Sequence, residues 1–290
     1  MVQSRLSSSG GARSVIGALA AVKANQKASG QLARLSILTT SSELTRALLE
    51  RLCAQDAHWS DMVCHGLSSG AFSQLGTTYS GIGQAIDVLG LPTVVLALRA
   101  TSLHLLFKEL ERASPFKAAL LSRQAMVTAV AAGQLAVSKG LEPSLVSGAG
   151  LLHNLGLAVA AFNFPADYCL LRDQLPGSGL TLADAESDLF GFNHLDVART
   201  LIAAYGFSAH VLSAATEHHG AIEDKQPIVQ CVMVGSMIAH QLGAAEGLGT
   251  PGLEIGPDRL RAIGFDDRVL EGAVIEATAA ISNHARCPLE

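Results

Sequence analysis

Aromatic side chains are scarce in this 290-residue chain, at 4%. A core of stacked rings is thereby excluded, and Leu, Ala, Val and Ile must fill the interior. Ala and Leu favour helices, which points to an all-α protein. Charge is scarce as well, at 16%, with a formal net charge of −5. That balance argues against nucleic acid as a partner, which needs clustered Lys and Arg. It is also too weakly acidic for a disordered tail. Cysteine is limited to Cys53, Cys64, Cys169, Cys231 and Cys287. None are spaced as C-x-x-C and the number is odd, which argues against a disulfide framework or a zinc ribbon. Free thiols in a reducing, cytoplasmic setting are the expectation.

Phosphate loops are missing too. No Walker sequence occurs, and no Ser, His and Asp spacing suggests a triad. "GIGQAIDVLG" places Gly81 and Gly83 after no strand pattern, so it is not a dinucleotide loop. Acid is absent from the first 42 residues, which carry Arg5, Arg13, Lys23, Lys27 and Arg34. Such bias is compatible with a transit peptide. The simpler expectation is a poorly ordered N-terminal extension over 1–31. Two stretches lack charge over a membrane-like length, Pro143–Ala166 and Gln226–Ala245. The first holds His153, Asn154 and Asn163, and the second Gln230, Ser236 and His240. Polar groups at mid-span are expensive in hydrocarbon, so both read as buried segments and no membrane is expected.

What is present is apolar material: 49% hydrophobic residues over a length that suits one large or two small domains. It is arranged with helical periodicity, and no alternating strand pattern stands out. Thr40 and Glu43 form a capping box before a face of Leu44, Ala47, Leu48 and Leu52. "GIGQAIDVLGLPTVVLAL" reads as two helices broken at Gly90–Pro92. A long helix follows, with Ser114 as N-cap, Pro115 in its first turn and Gly140 after its end. Pro143–Leu152 makes the next. Another starts at His194, with Asn193 as N-cap and Asp196 in the first turn, and Gly206 ends it. Ser208–His219 closes at Gly220, and Pro227–Leu242 at Gly243. Asp266–His284 is the last helix.

Ten histidines are the richest chemical resource. His58, His65, His104, His210, His240 and His284 are scattered. His153, His194, His218 and His219 lie at helix ends in the second half, where turning of the chain lets them share one cleft. "GLLHNLGLAV", "LFGFNHLDVARTLI" and "ATEHHG" occur in this order. They resemble the core of the HDOD domain, a degenerate branch of the HD metal-dependent phosphohydrolase superfamily. "LSSGAFSQLG" and "SGIGQAIDVLGLPTVVLALRA" are similar to its upstream segments, so the likeness runs from about Leu32 to Leu242.

The resemblance implies an HD-like bundle over 113–245, a smaller helical part over 32–112 before it, and a loop and C-terminal helix over 246–290. It also implies a signalling or regulatory role through a protein partner, with room for a small ligand in the cleft. The superfamily holds divalent metal through a first His, a His-Asp doublet, later histidines and a late Asp. Here His153 matches the doublet's His and Asn154 its Asp. His194, His218 and His219 match later histidines, Gln124 stands at the first His, and Ser236 at the late Asp. A hydrolytic dication needs anionic ligands to offset its charge and activate water. Asn154 and Ser236 supply none, and Gln124 replaces imidazole poorly.

The expectation is therefore a vestigial site with no catalytic residue, no metal and no cofactor. His153, Asn154, His194 and His218 would hydrogen-bond one another to keep a polar hole satisfied. The alternative is a phosphohydrolase acting on a nucleotide or other phosphoester, with metal on His153, His194, His218 and His219. Glu217 and Asp196 neighbour these histidines in sequence, but no spacing places either in the cleft.

Overall fold

The computed structural model describes residues 14–40, 44–69, 77–111, 116–175, 178–244 and 255–284. Among them there are helices and no strand. In chain order these are α1 (Val15–Ala24), α2 (Gln26–Thr40), α3 (Arg46–Ala54), α4 (Ala57–Ser68), α5 (Ile82–Leu89), α6 (Leu91–Leu110), α7 (Ala118–Ala136) and α8 (Pro143–Leu152). Then come α9 (Leu155–Asn163), α10 (Pro165–Gln174), α11 (Leu182–Phe190), α12 (His194–Tyr205), α13 (Ala209–Glu217), α14 (Pro227–Gln241), α15 (Pro257–Ala262) and α16 (Asp267–His284). The all-α architecture is as the composition implies.

The smaller N-terminal part is α3, α4 and α5 packed on α6 and the end of α2. Leu38, Leu49, Trp59, Val63, Leu67 and Leu98 are its buried centre. The bundle is organised around α7, which packs against α8, α14 and α16. Alanine on α7 permits close approach: a Cβ added at Gly235 of α14 would lie 2.9 Å from the Ala132 amide nitrogen. Only glycine lets the two backbones meet there. Leu135, Val146, Val229, Val232 and Phe265 fill the space around this crossing.

Caps set the helix starts. Asn193 Oδ1 accepts from the Leu195 and Asp196 amides, while the Asp196 carboxylate accepts from the Asn193 amide. A capping side chain of this kind is worth about 1 kcal/mol. The helix starting at His194 is thus fixed at its first residue. Positive-φ glycines follow its end at Gly206 and those of α13 and α14 at Gly220 and Gly243.

Three sequence expectations fail. Thr40 is the last residue of α2 rather than an N-cap, because Leu35, Leu38 and Thr39 are buried and hold that helix through Thr40. Thr45 caps α3 instead, its Oγ1 accepting from the Leu48 amide; Glu43 lies outside the described residues. The long helix begins at Ala118 rather than Pro115. Phe116 is turned into the core, edge-on to Tyr168, and Lys117 is extended; Ser114 and Pro115 are not among the described residues. The extension over 1–31 is not loosely packed from residue 14 on. Ala18 and Val22 of α1 are fully buried against α9 and α12, which offsets the cost of ordering this short helix.

Among the described residues two segments are long and apolar enough to cross a membrane, Leu91–Leu110 and Pro143–Asn163. In their apolar windows, 67% and 83% of residues are buried inside the protein, which is what core helices require.

Candidate functional site

The ends of α8 and α13, the starts of α11 and α12 and one face each of α7 and α14 enclose a cavity of about 410 Å³. All seven residues matched to the ancestral site line it: Gln124, His153, Asn154, His194, His218, His219 and Ser236. Met233 and Met237 form an apolar wall, and the half-exposed Leu180 sits on its lining beside Thr181. His240 lines it as well. It was not separable from the scattered histidines by motif, but it stands four residues after Ser236 and so shares that helix face. No Asp or Glu occurs among the described residues lining the cavity. Glu217 and Asp196 are elsewhere, the latter capping α12.

The histidines are held in different ways. His153 follows α8, and its Nδ1 lies 2.7 Å from the Gly150 carbonyl oxygen. His218 follows α13, with Nδ1 2.9 Å from the Ala214 carbonyl oxygen. A carbonyl only accepts, so each Nδ1 carries the hydrogen and each neutral ring keeps a lone pair on Nε2. Both of these Nε2 atoms are buried and have no hydrogen-bond partner among the described residues. The two rings meet edge-on, with centroids 5.2 Å apart.

His194 is the first residue of α12 and is fixed by a carboxylate behind it. Its Nδ1 is 2.5 Å from Glu186 Oε2, which also accepts the His194 amide at 2.8 Å. The other oxygen, Oε1, accepts the Tyr168 hydroxyl at 2.5 Å. Glu186 is fully buried, so all its hydrogen bonds come from protein. On the cavity side, His194 Nε2 lies 3.0 Å from His219 Nε2. Gly156 allows this placement: a Cβ there would sit 2.2 Å from the His194 carbonyl oxygen.

Sequence reasoning missed Glu186. Its signal was weak but present, an acidic residue four positions after the buried Leu182 on the same face of α11. The mutual hydrogen bonds expected among His153, Asn154, His194 and His218 are not formed among the described residues; His194 pairs instead with His219. His153 and His218 turn their donors to backbone carbonyls because each closes a helix, and Asn154 makes no side-chain cap bond.

Burial keeps the rings neutral. It pushes the His153 pKa down to about 4 and that of His219 to about 3, with neighbouring His194 adding to both. His218 is shifted well below the usual range, again by burial first and then by His219. Tyr168 is raised by burial and by the Glu186 charge.

Ligand-capable atoms of His194, His218 and His219 all lie within 4.8 Å of one another. This donor set fits one ion that accepts neutral imidazoles. It does not fit the carboxylate-containing centre implied by the superfamily resemblance, because no Asp or Glu lines the cavity among the described residues.

The sequence matches the HDOD domain over residues 19–221. No curated protein matches it. Among solved structures, an HDOD domain protein of unknown function from Geobacter sulfurreducens is 20% identical with a TM-score of 0.67, covering 90% of this chain and 92% of that one. A protein provisionally named a phosphohydrolase, from Shewanella amazonensis, is 14% identical with a TM-score of 0.65, covering 89% and 93%. A protein provisionally named for signal transduction, from Marinobacter aquaeolei, is 19% identical with a TM-score of 0.69; the match covers 89% of this chain but 58% of that one. At these identities the likeness concerns the fold.

Proposed function

The chain belongs to the HDOD domain family, and on that footing we propose that it acts by binding rather than by hydrolysis, as a signalling or regulatory module. One observation carries this reading: the cavity wall holds histidines, two amides and hydroxyls, but no carboxylate among its described residues. A dication held there by neutral groups would keep its charge uncompensated. Asn154, Ser236 and Gln124 each stand where the superfamily needs a stronger ligand. The partner is a protein of a signalling pathway, and the cavity is available to a small ligand.

A second reading is a metal-dependent phosphohydrolase acting on a nucleotide or other phosphoester. The convergence of His194, His218 and His219 favours it. The two readings separate on phosphate release from mono- and diester substrates by protein supplied with Mn²⁺, Fe²⁺ or Zn²⁺. Release no faster than the metal blank supports the binding module. Turnover that disappears in His153→Ala overturns it.

A further inference from the structure

Two buried acceptors of the cavity have no hydrogen to receive. His153 Nε2 and His218 Nε2 are without a partner among the described residues, although both residues are more than nine-tenths buried. Each ring turns Nδ1 back onto its own helix, towards the Gly150 and Ala214 carbonyls, so the other ring nitrogen carries a lone pair. The two rings stand edge-on with centroids 5.2 Å apart, and both residues line the cavity. Leaving a buried polar atom unpaired is costly, so the two atoms together point to a ligand.

His194 and His219 make no such demand. Glu186 holds the hydrogen of His194 Nδ1, which leaves His194 Nε2 as an acceptor. His219 Nε2, 3.0 Å away, supplies the hydrogen between them. The unmet requirement is for donors at His153 and His218.

Charge narrows the ligand. A dication finds no carboxylate among the described lining residues. An aliphatic amine meets the same obstacle, since it is an ammonium at neutral pH, as lysine is. An anion such as phosphate meets lone pairs, and no Lys or Arg lines the cavity among its described residues. Lys225 stands beyond that lining, beside Gly220. What remains is an uncharged donor. An amino group on a heteroaromatic ring is uncharged, because its lone pair is delocalised into the ring, and its one nitrogen carries two hydrogens. A volume of about 410 Å³ accommodates a molecule of one or two rings. Met233 and Met237 offer thioethers to a ring face or edge, and the Gln124 and Asn154 amides both donate and accept, as ring nitrogens require.

We infer that the cavity binds an uncharged, amino-substituted nitrogen heterocycle, whose amino hydrogens are accepted by His153 and His218. The inference rests on the non-catalytic reading above and names the ligand class of that same cavity. Neither metal nor phosphate takes part.

The test is calorimetric titration of chelator-stripped protein with adenine and aminopyrazine, each against its parent ring without the amino group, purine and pyrazine. One equivalent of an amino compound should bind. The parent ring should bind about tenfold more weakly or worse, through loss of at least one hydrogen bond. Adenosine monophosphate should bind no better than adenine. Histidine ¹⁵N spectra read the contact without any variant: the Nε2 signals of His153 and His218 should move on adding adenine, while their Nδ1–H signals stay. His153→Phe keeps a ring but removes one acceptor, and should weaken adenine about tenfold. His210→Ala, exposed and outside the lining, should leave binding unchanged. Equal binding of purine and adenine, tighter binding of the monophosphate, or no binding of either amino compound would overturn the inference. So would a ligand-free spectrum in which both Nε2 atoms already accept a hydrogen bond, the mark of a trapped water only. Those outcomes leave the non-catalytic reading standing. Phosphate release from the monophosphate with added Mn²⁺ overturns that reading instead.

Discussion

His194 Nδ1 lies 2.5 Å from Glu186 Oε2, in a pair from which solvent is excluded. Glu186 spends its other oxygen on Tyr168, so three helices, α10, α11 and α12, are tied at one carboxylate. Glu186→Ala leaves the Tyr168 hydroxyl and His194 Nδ1 buried without partners. The expected loss is about 3–5 kcal/mol, the cost of breaking a buried pair from one side. Tyr168→Phe removes a single bond to a charged group and should cost about 1.5–3 kcal/mol. Urea unfolding with unchanged m-values measures both, and equal losses would contradict the three-way tie.

Gly156 and Gly30 should behave oppositely on conversion to Ala. At Gly156 the new Cβ would overlap the His194 carbonyl oxygen and the Ala198 amide, on the backbone of α12. Overpacking of this kind costs about 1–3 kcal/mol. Gly30 lies in α2 with nothing within 4 Å of a Cβ, so Gly30→Ala should gain about 0.4–1 kcal/mol through the unfolded chain. Melting temperatures check the pair, and a Gly156→Ala protein as stable as wild type would show that α9 and α12 are further apart.

Acid should weaken the metal-free protein before its carboxylates titrate. The unfolded chain protonates its histidines near their usual value of about 6.5, whereas folded His153 stays neutral down to about 4. His218 and His219 are depressed in the same direction. A proton bound only by the unfolded chain favours unfolding, so stability is full above about pH 7 and falls between about 6.5 and 4. His153 alone accounts for roughly 3 kcal/mol of that fall. Urea midpoints across this window should drop, and less steeply in His153→Gln; a flat profile would contradict the burial of neutral rings.

The sequence is legible where one residue type meets one local rule. Asn193 and Asp196 announce the start of α12, Gly206, Gly220 and Gly243 follow helix ends, and Gly90 divides α5 from α6 because each acts within one turn of chain. The cavity lining was legible by a different route, since His153, Asn154 and the His218–His219 pair carry a resemblance in order and type. Thr40 misled because burial of Leu38 and Thr39 against α6 outweighs a capping pattern. Glu186 was hidden because its role is tertiary. Asp184, two residues earlier, makes the local capping box with Thr181 and absorbs the obvious signal. The partnerless Nε2 atoms had no sequence signature, since they depend on which ring nitrogen a backbone carbonyl claims.

Asn154→Asp puts one carboxylate back into the cavity and tests the charge deficit most directly. The variant and wild type are loaded with Mn²⁺ or Zn²⁺ and assayed side by side on phosphomonoesters and phosphodiesters. Gln124 and Ser236 still stand where ligands are needed, so neither protein should release phosphate faster than the metal blank. Robust hydrolysis by Asn154→Asp alone would contradict the account at those two positions, and hydrolysis by wild type would contradict it entirely.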